Sequence, residues 1–428
     1  MVQRAEQRSK GIDIYPVPQE HLNFDLVGVV REKNEIRVQF IWPLKYKKLF
    51  KQGKSLLMFG PPGTGKTKLA AGITNMFRAT LDTTNVQLVV ATAAQIKGRY
   101  IGDIEKNLER FFRVAEALAL EAEDKKARTV LFFDELEAFA SSRLKFPTEA
   151  NMAGTTELNR LMDGITQYPH VIVVGATNLP WNLDPAILSR FPLKLFVDVP
   201  GTQARIQMLW TKFQDRVPAF KEVTFEALQE GKYRKGHVGK EFRNFLMKLT
   251  MMTGYSDRAF GAIRARLASY YEEPEGKNKD QLDADVLKFL DEGKHDPYTP
   301  KGGGVTVWGS PRAVTTFGFS FRDLDRVMDT ALNHVAQRKL IAIDRRKNCY
   351  YIVPPGCDPS KDVVKCRKCD VAPSDLEFMP EDFENLDNQK VIRDEIHKHR
   401  SSVNNDEYLD FVYYFLYHQE PPRVREAR

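Results

Sequence analysis

The sequence predicts an α/β protein: a five-stranded parallel sheet covered by helices, followed by a small helical lid and a mixed C-terminal extension. Three observations predict it. Short apolar, strand-like runs alternate with helical patterns over the first part of the 428-residue chain, which is the signature of a parallel sheet with helices on both faces. One such run passes through a glycine-rich loop straight into a helical pattern. Another ends in a pair of carboxylates.

Candidate strands are Ser55–Phe59, Val86–Thr92, Thr129–Phe133, Val171–Ala176 and Lys194–Val199. Between the second and third, a helix over Ile104–Leu118 sets Ile104, Leu108, Phe111, Phe112, Ala115 and Leu118 on one face, the spacing of a core-facing stripe. From Thr202 to Tyr271 the pattern is helical without strong strands. Residues 272–304 are charged and rich in Gly and Pro, ending Pro300-Lys301-Gly302-Gly303-Gly304, and read as linker. A short strand-like piece, Val305–Trp308, follows it. Ser320 and Asp323 stand at capping-box spacing before a helix over Ser320–Ala336, and helices are expected again at Asn388–His399 and Asp406–His418, the latter unusually aromatic. The partition is an arm at 1–20, an α/β domain at 21–201, a helical lid at 202–271 and an extension at 272–428. No internal repeat is evident.

Hydrophobic residues make up 42% and charged residues 28%, as in ordinary globular proteins. No apolar run reaches membrane-spanning length, and the N-terminus, MVQRAEQRSKGIDIY, lacks the apolar core of a secretory signal. A cytoplasmic or nuclear setting is the expectation. The net charge of +7 is spread over mixed-sign helix faces rather than concentrated in a basic tract with interleaved aromatics, which argues against direct nucleic-acid binding.

The chemistry begins at Gly60-Pro61-Pro62-Gly63-Thr64-Gly65-Lys66-Thr67, which fits G-x-x-x-x-G-K-[ST] at every fixed position. Backbone N–H groups of such a loop (Gly63, Thr64, Gly65, Lys66 and Thr67, with Pro62 lining the turn) cradle phosphate oxygens, and the following helix N-terminus adds a positive dipole end. Lys66 reaches the β/γ-phosphates and Thr67 ligates Mg²⁺, so the fold expected is a P-loop NTPase core binding ATP and Mg²⁺. The run Val130-Leu131-Phe132-Phe133-Asp134-Glu135 brings Asp134 to the metal and Glu135 to the attacking water as general base.

Gly175-Ala176-Thr177-Asn178-Leu179-Pro180, then Leu183-Asp184-Pro185-Ala186-Ile187 and Ser189-Arg190-Phe191, make the resemblance specific. These residues resemble the second region of homology of the AAA-type ATPases. The resemblance implies that Asn178 is the polar sensor that orients the water, and that Arg190 is an arginine finger acting on ATP in an adjacent subunit. Within that family the chain is most similar to the branch of katanin, spastin, fidgetin and the vacuolar-sorting ATPases that disassemble ESCRT polymers. Asn23-Phe24-Asp25-Leu26-Val27-Gly28, Trp42-Pro43-Leu44 and Thr253-Gly254-Tyr255-Ser256 carry this. The resemblance covers about residues 20–270 and extends to the Ser320–Ala336 helix. It implies a ring, a hexamer, with Val27 and Gly28 lining the adenine pocket. It also implies a first pore loop at Arg99-Tyr100-Ile101-Gly102-Asp103, where Tyr100 and Ile101 grip a substrate polypeptide.

Departures accompany it. Ser189 stands where many relatives have a second arginine, and Pro192-Leu193 replaces a later basic position, leaving Arg190 to act alone. The lid reads Gly254-Tyr255-Ser256-Asp257-Arg258; Arg258 is either a nucleotide sensor or a surface charge at a helix start. The Phe146–Thr155 stretch lacks the arginines many relatives carry in a second pore loop. The chain's four cysteines, Cys349, Cys357, Cys366 and Cys369, include one C-x₂-C pair. They are either the thiolates of a structural Zn²⁺ site or unconnected buried cysteines.

The functional expectation is ATP hydrolysis driving protein remodelling, unfolding or polymer disassembly by a ring that threads a protein substrate past Tyr100. The arm before residue 20 is too short for the N-terminal adaptor domain of relatives, so substrate choice falls to residues 272–428 or to a partner. The alternatives are a nucleic-acid-associated motor or loader, and a dedicated assembly chaperone docking through the C-terminal extension.

Overall fold

The computed structural model describes residues 14–18, 30–46, 55–98, 102–143, 145–146, 148–200, 202–224, 320–347 and 378–399, and the single positions 242, 245, 246, 249, 410, 411 and 414. These divide into two compact units: 1–198 with 406–428, and 199–405.

The first unit is built on strands β1 (Ser55–Phe59), β2 (Val86–Ala91), β3 (Arg128–Phe133), β4 (Val171–Thr177) and β5 (Leu193–Phe196). All pair in parallel in the order β2-β3-β4-β1-β5. Every residue of β1 and β4 is buried. That is why these strands read as continuous apolar runs rather than alternating ones: helices cover both faces. Expected and observed strands agree except at their ends. The last is shorter than Lys194–Val199 at its C-terminal end, although Val197 N–H still donates to Phe59 O at 2.8 Å.

One face carries α4 (Asp103–Glu121) and α5 (Glu149–Asp163). Ile104, Leu108, Phe111, Phe112 and Ala115 are buried there with Leu131, Phe133 and Leu158. Leu118, expected on the stripe, is only half-buried, and Ala119 takes its place; a step of four from Ala115 keeps the 3.6-residue period where a step of three drifts off it. The other face carries α1 (Val30–Ile36), continued by a π-turn (Arg37–Ile41) and a helical turn (Trp42–Lys45), and α2 (Lys66–Leu81). Phe40 meets Phe77 edge-on at 5.7 Å. A small helix, α3 (Ala93–Lys97), follows β2 and opens with a Thr92/Gln95 capping box. After β4 comes α6 (Pro185–Arg190), capped by Asp184.

Two pieces of chain outside the α/β alternation close this unit. Residues 14–18 run along the sheet edge: Pro16 bridges Val89 antiparallel and Val17 N–H donates to Leu88 O at 2.8 Å. This covers the otherwise open edge of β2. Near the chain's end, Phe411 and Tyr414 are buried against Trp181, and Tyr414 stands edge-on to Phe59 at 5.3 Å.

The second unit packs α7 (Thr202–Arg216), α8 (Phe321–Lys347), α9 (Pro380–Glu384) and α10 (Leu386–Lys398) around a core that includes Trp210, Phe213, Phe220, Phe242, Leu332 and Phe383. Ser320 and Asp323 make the expected reciprocal cap: Asp323 N–H donates to Ser320 Oγ at 3.2 Å and Ser320 N–H to Asp323 Oδ2 at 3.0 Å. The helix they open runs on to Lys347, past the expected end at Ala336. Lys212 of α7 holds Asp325 and Asp329 of α8 at 2.5 and 3.1 Å. No described helix is long and apolar enough to cross a membrane.

Candidate nucleotide site

Open parallel sheets present their ligand sites at the C-terminal ends of their strands. Here the neighbouring strands β3, β4 and β1 each end in a candidate residue. Phe59, in register with Thr177, leads into the glycine-rich loop; Phe133, in register with Gly175, leads into Asp134 and Glu135; Thr177 leads into Asn178.

The loop's shape is forced by its packing. Gly60 has φ +152°, and a Cβ there would lie 2.2 Å from Val197 O, so only glycine passes between β1 and the chain after β5. Gly63 and Gly65 also take positive φ, where L side chains are strained. Thr64 Oγ1 donates to Pro61 O at 2.9 Å and closes the loop. Lys66, the first residue of α2, is buried, and its Nζ donates to Gly60 O and Pro61 O at 2.8 Å each. Its ammonium is thus held inside the loop's curve, where charge is least screened.

Thr67 Oγ1, after β1, donates to Asp134 Oδ2, after β3, at 3.1 Å past the one intervening strand, β4. The other carboxylate oxygen of Asp134 accepts Glu135 N–H at 3.1 Å. A hydroxyl and a carboxylate oxygen at contact distance beside a phosphate loop are the hard oxygen donors Mg²⁺ takes, so the donor set fits that ion. Glu135 is exposed and sits at φ +53°, in left-handed backbone that a non-glycine residue adopts at a cost. Such outliers gather at functional sites, and this one directly follows Asp134.

Asn178 follows the last residue of β4. Its N–H donates to Glu137 Oε1 at 3.2 Å, and the next N–H, of Leu179, to Thr177 Oγ1 at 3.0 Å. Its Oδ1 is shut from solvent without a hydrogen-bond partner among the described residues, as is Glu137 Oε2.

Arg190 lies elsewhere. Ser55 Oγ, at the start of β1, donates to Arg190 O at 2.5 Å, so Arg190 belongs to the opposite edge of the sheet from Gly60. At about 3.3 Å of rise per residue, β1 alone separates the two edges by about 13 Å. The guanidinium makes a two-pronged pair with Asp163 at the end of α5, Nε to Oδ1 at 3.1 Å and Nη2 to Oδ2 at 2.7 Å, and a further bond to Ala186 O at 2.9 Å. It remains partly exposed, and Asp163 more so.

The structure therefore brings Gly60–Thr67, Asp134, Glu135 and Asn178 to one edge and sets Arg190 at the other. Val27, Gly28, Tyr100, Ile101, Arg258, Cys349, Cys357, Cys366 and Cys369 lie outside the described residues. Among those described, no group of three or more His, Cys, Asp or Glu side chains could hold a metal ion. On either side of residues 99–101, Gly98 and Gly102 take φ of +61° and +84°, and Asn107 Nδ2 ties Gln95 O and Ile96 O at 3.1 Å each.

Sequence reasoning missed Glu137 and Asp163. Glu137 sits in the legible run Asp134-Glu135-Leu136-Glu137, and its strand-end position was the available signal. Asp163 lies 27 positions from Arg190 and gave no signal, since nothing local pairs them.

Residues 56–199 match the model of the ATPase family associated with various cellular activities (AAA). Among curated proteins, the chain is 32% identical over 195 residues to a putative cell division cycle ATPase of Plasmodium falciparum, covering 44% of this chain and 15% of that one. It is 32% identical over 247 residues to the protein SAV of Sulfolobus acidocaldarius (55% and 29%). It is 31% identical over 230 residues to the protein CdcH of Halobacterium salinarum (51% and 28%). The chain thus spans less than a third of the length of each of these relatives.

Proposed function

Taking residues 56–199 as an AAA ATPase domain, we propose that this chain binds ATP with Mg²⁺ at the C-terminal edge of its sheet and hydrolyses it as part of a ring. The observation that carries the reading is the 3.1 Å contact between Thr67 and Asp134, which joins the phosphate loop to the carboxylate strand at one point. The match to a family of ATPases, and one relative named as an ATPase, support it.

Each residue then has a task. The loop amides and Lys66 bind the phosphates. Thr67 and Asp134 hold Mg²⁺, which when bound neutralises charge on the phosphate oxygens. Glu135 takes the proton of the attacking water, and Asn178 fixes that water's orientation. Arg190, at the far edge of the sheet, serves a nucleotide bound by another copy; a guanidinium in that role is worth about 10³–10⁵ in rate. The ring reading rests on this separation and on the habit of the family.

What the energy moves is the finer part of the proposal. Tyr100, between the glycine-flanked ends of its loop, grips a protein chain, and remodelling or polymer disassembly of the katanin and vacuolar-sorting kind follows. Of the three segments that carry that branch assignment, Trp42–Leu44 is described and forms part of a helical turn.

The test is phosphate release from the full chain with ATP and Mg²⁺, beside Glu135→Gln. Loss of a general base costs about 10²–10⁴ in rate. The variant should bind ATP as the parent does and turn over at least a hundredfold more slowly; equal turnover would overturn the roles assigned.

A further inference from the structure

We propose that Glu137 is a positioning residue for hydrolysis: it holds the turn that presents Asn178, tying the end of β3 to the end of β4. The proposal rests on Asn178 acting on the attacking water, and it adds a residue to that step.

Glu137 lies in the 3₁₀ turn Leu136–Ala138, directly after Asp134 and Glu135. The turn is itself fixed. Ala138 N–H donates to Glu135 O at 2.9 Å, Ala140 N–H to Leu136 O at 3.0 Å, and Ser141 Oγ–H donates to Glu137 O. From this base the Glu137 side chain crosses to the neighbouring strand end, where Oε1 accepts the N–H of Asn178, 41 positions away. With Leu179 N–H bound to Thr177 Oγ1, the first two amides beyond β4 are both held by side chains. The orientation of Asn178 is therefore set by the same turn that carries Glu135.

The second oxygen points to function over stability. Glu137 Oε2 is shut from solvent and has no hydrogen-bond partner among the described residues, and the same is true of Asn178 Oδ1. Buried acceptors without donors are rare and destabilising. An apolar side chain of similar size would avoid that cost, yet would leave Asn178 N–H without its acceptor. A half-satisfied carboxylate here exchanges stability for the placement of one backbone amide. Displacing a reacting group by about 1 Å can cost about 10²-fold in rate, so the tether matters to turnover far more than to binding.

The experiment compares Glu137→Met, which keeps volume and removes the acceptor, with Glu137→Gln, which keeps a carbonyl oxygen. Expected for Glu137→Met is a kcat at least tenfold below the parent, with KM for ATP within about threefold and an unchanged melting temperature. Glu137→Gln should stay within about threefold of the parent in both constants. In an Asn178→Ala background, Glu137→Met should add nothing further. Hydrogen exchange at the Asn178 amide should be at least tenfold faster in Glu137→Met and unchanged in Glu137→Gln, a readout that needs no turnover.

Parental kcat in Glu137→Met, equal losses in both variants, additive losses with Asn178→Ala, or unchanged exchange at Asn178 would each overturn the proposal. Failure of the ATPase reading shows separately, as a parent chain without turnover, and the exchange measurement still decides what Glu137 holds.

Discussion

Replacing Gly60 by alanine puts the new Cβ 2.2 Å from the carbonyl oxygen of Val197, with φ at +152°. Real Cβ contacts essentially never fall under 3.0 Å, so close to 1 Å of movement is needed. The obstacle is backbone: Val197 is tied to Phe59 by a 2.8 Å hydrogen bond and cannot swing away as a side chain would. The loop moves instead, and with it the carbonyls of Gly60 and Pro61 that hold Lys66. Backbone strain of this kind costs about 1–3 kcal/mol, which a sheet buried on both faces survives. A shift of about 1 Å in groups that position phosphate costs about 10²-fold in function. The expected outcome is a folded Gly60→Ala protein whose ATP affinity, measured with a fluorescent analogue, falls about a hundredfold. Affinity within about threefold of the parent would refute the claim that the Val197 contact shapes the phosphate loop.

Two further outcomes are expected. Tyr100→Ala should keep the basal ATP turnover of the parent and lose substrate remodelling; remodelling at the parental rate would remove Tyr100 from the substrate path. Burial pushes the Tyr414 phenol from the ordinary 10.0 up to about 12. A phenol whose folded value is raised contributes stability that is complete below pH 10 and is lost as the pH rises toward 12. A tyrosinate absorbance titration should show one late-ionising phenol that is missing in Tyr414→Phe, and superimposable curves would contradict the buried position against Phe59.

How much of this was legible in the sequence follows the range of the interactions. The strands could be read because burial on both faces makes them continuous apolar runs, and the phosphate loop because its geometry demands glycine at fixed spacings. The acidic pair was legible because it ends such a run. Strand and helix ends were less so: β5 stops at Phe196, short of the expected Val199, and α8 runs past the expected Ala336. The contacts that define roles were least legible. Glu137 reaches Asn178 across 41 positions and Asp163 reaches Arg190 across 27. The resemblance implied that Arg190 acts on a neighbouring copy's nucleotide, but not where in its own fold it sits; the bond from Ser55 at the start of β1 puts it at the opposite end of that strand from Gly60.

That separation makes the shared site the central claim, and mixing two inactive variants tests it most directly. Lys66→Ala lacks the phosphate-binding lysine and Arg190→Ala lacks the guanidinium, so each alone should show no ATP turnover. In mixed assemblies, an intact phosphate loop from one copy meets an intact Arg190 from another, and the account predicts that turnover returns on mixing. If Arg190→Ala alone hydrolyses ATP like the parent, or if the mixture stays inactive while both variants assemble, the site is not completed between copies and the account is contradicted.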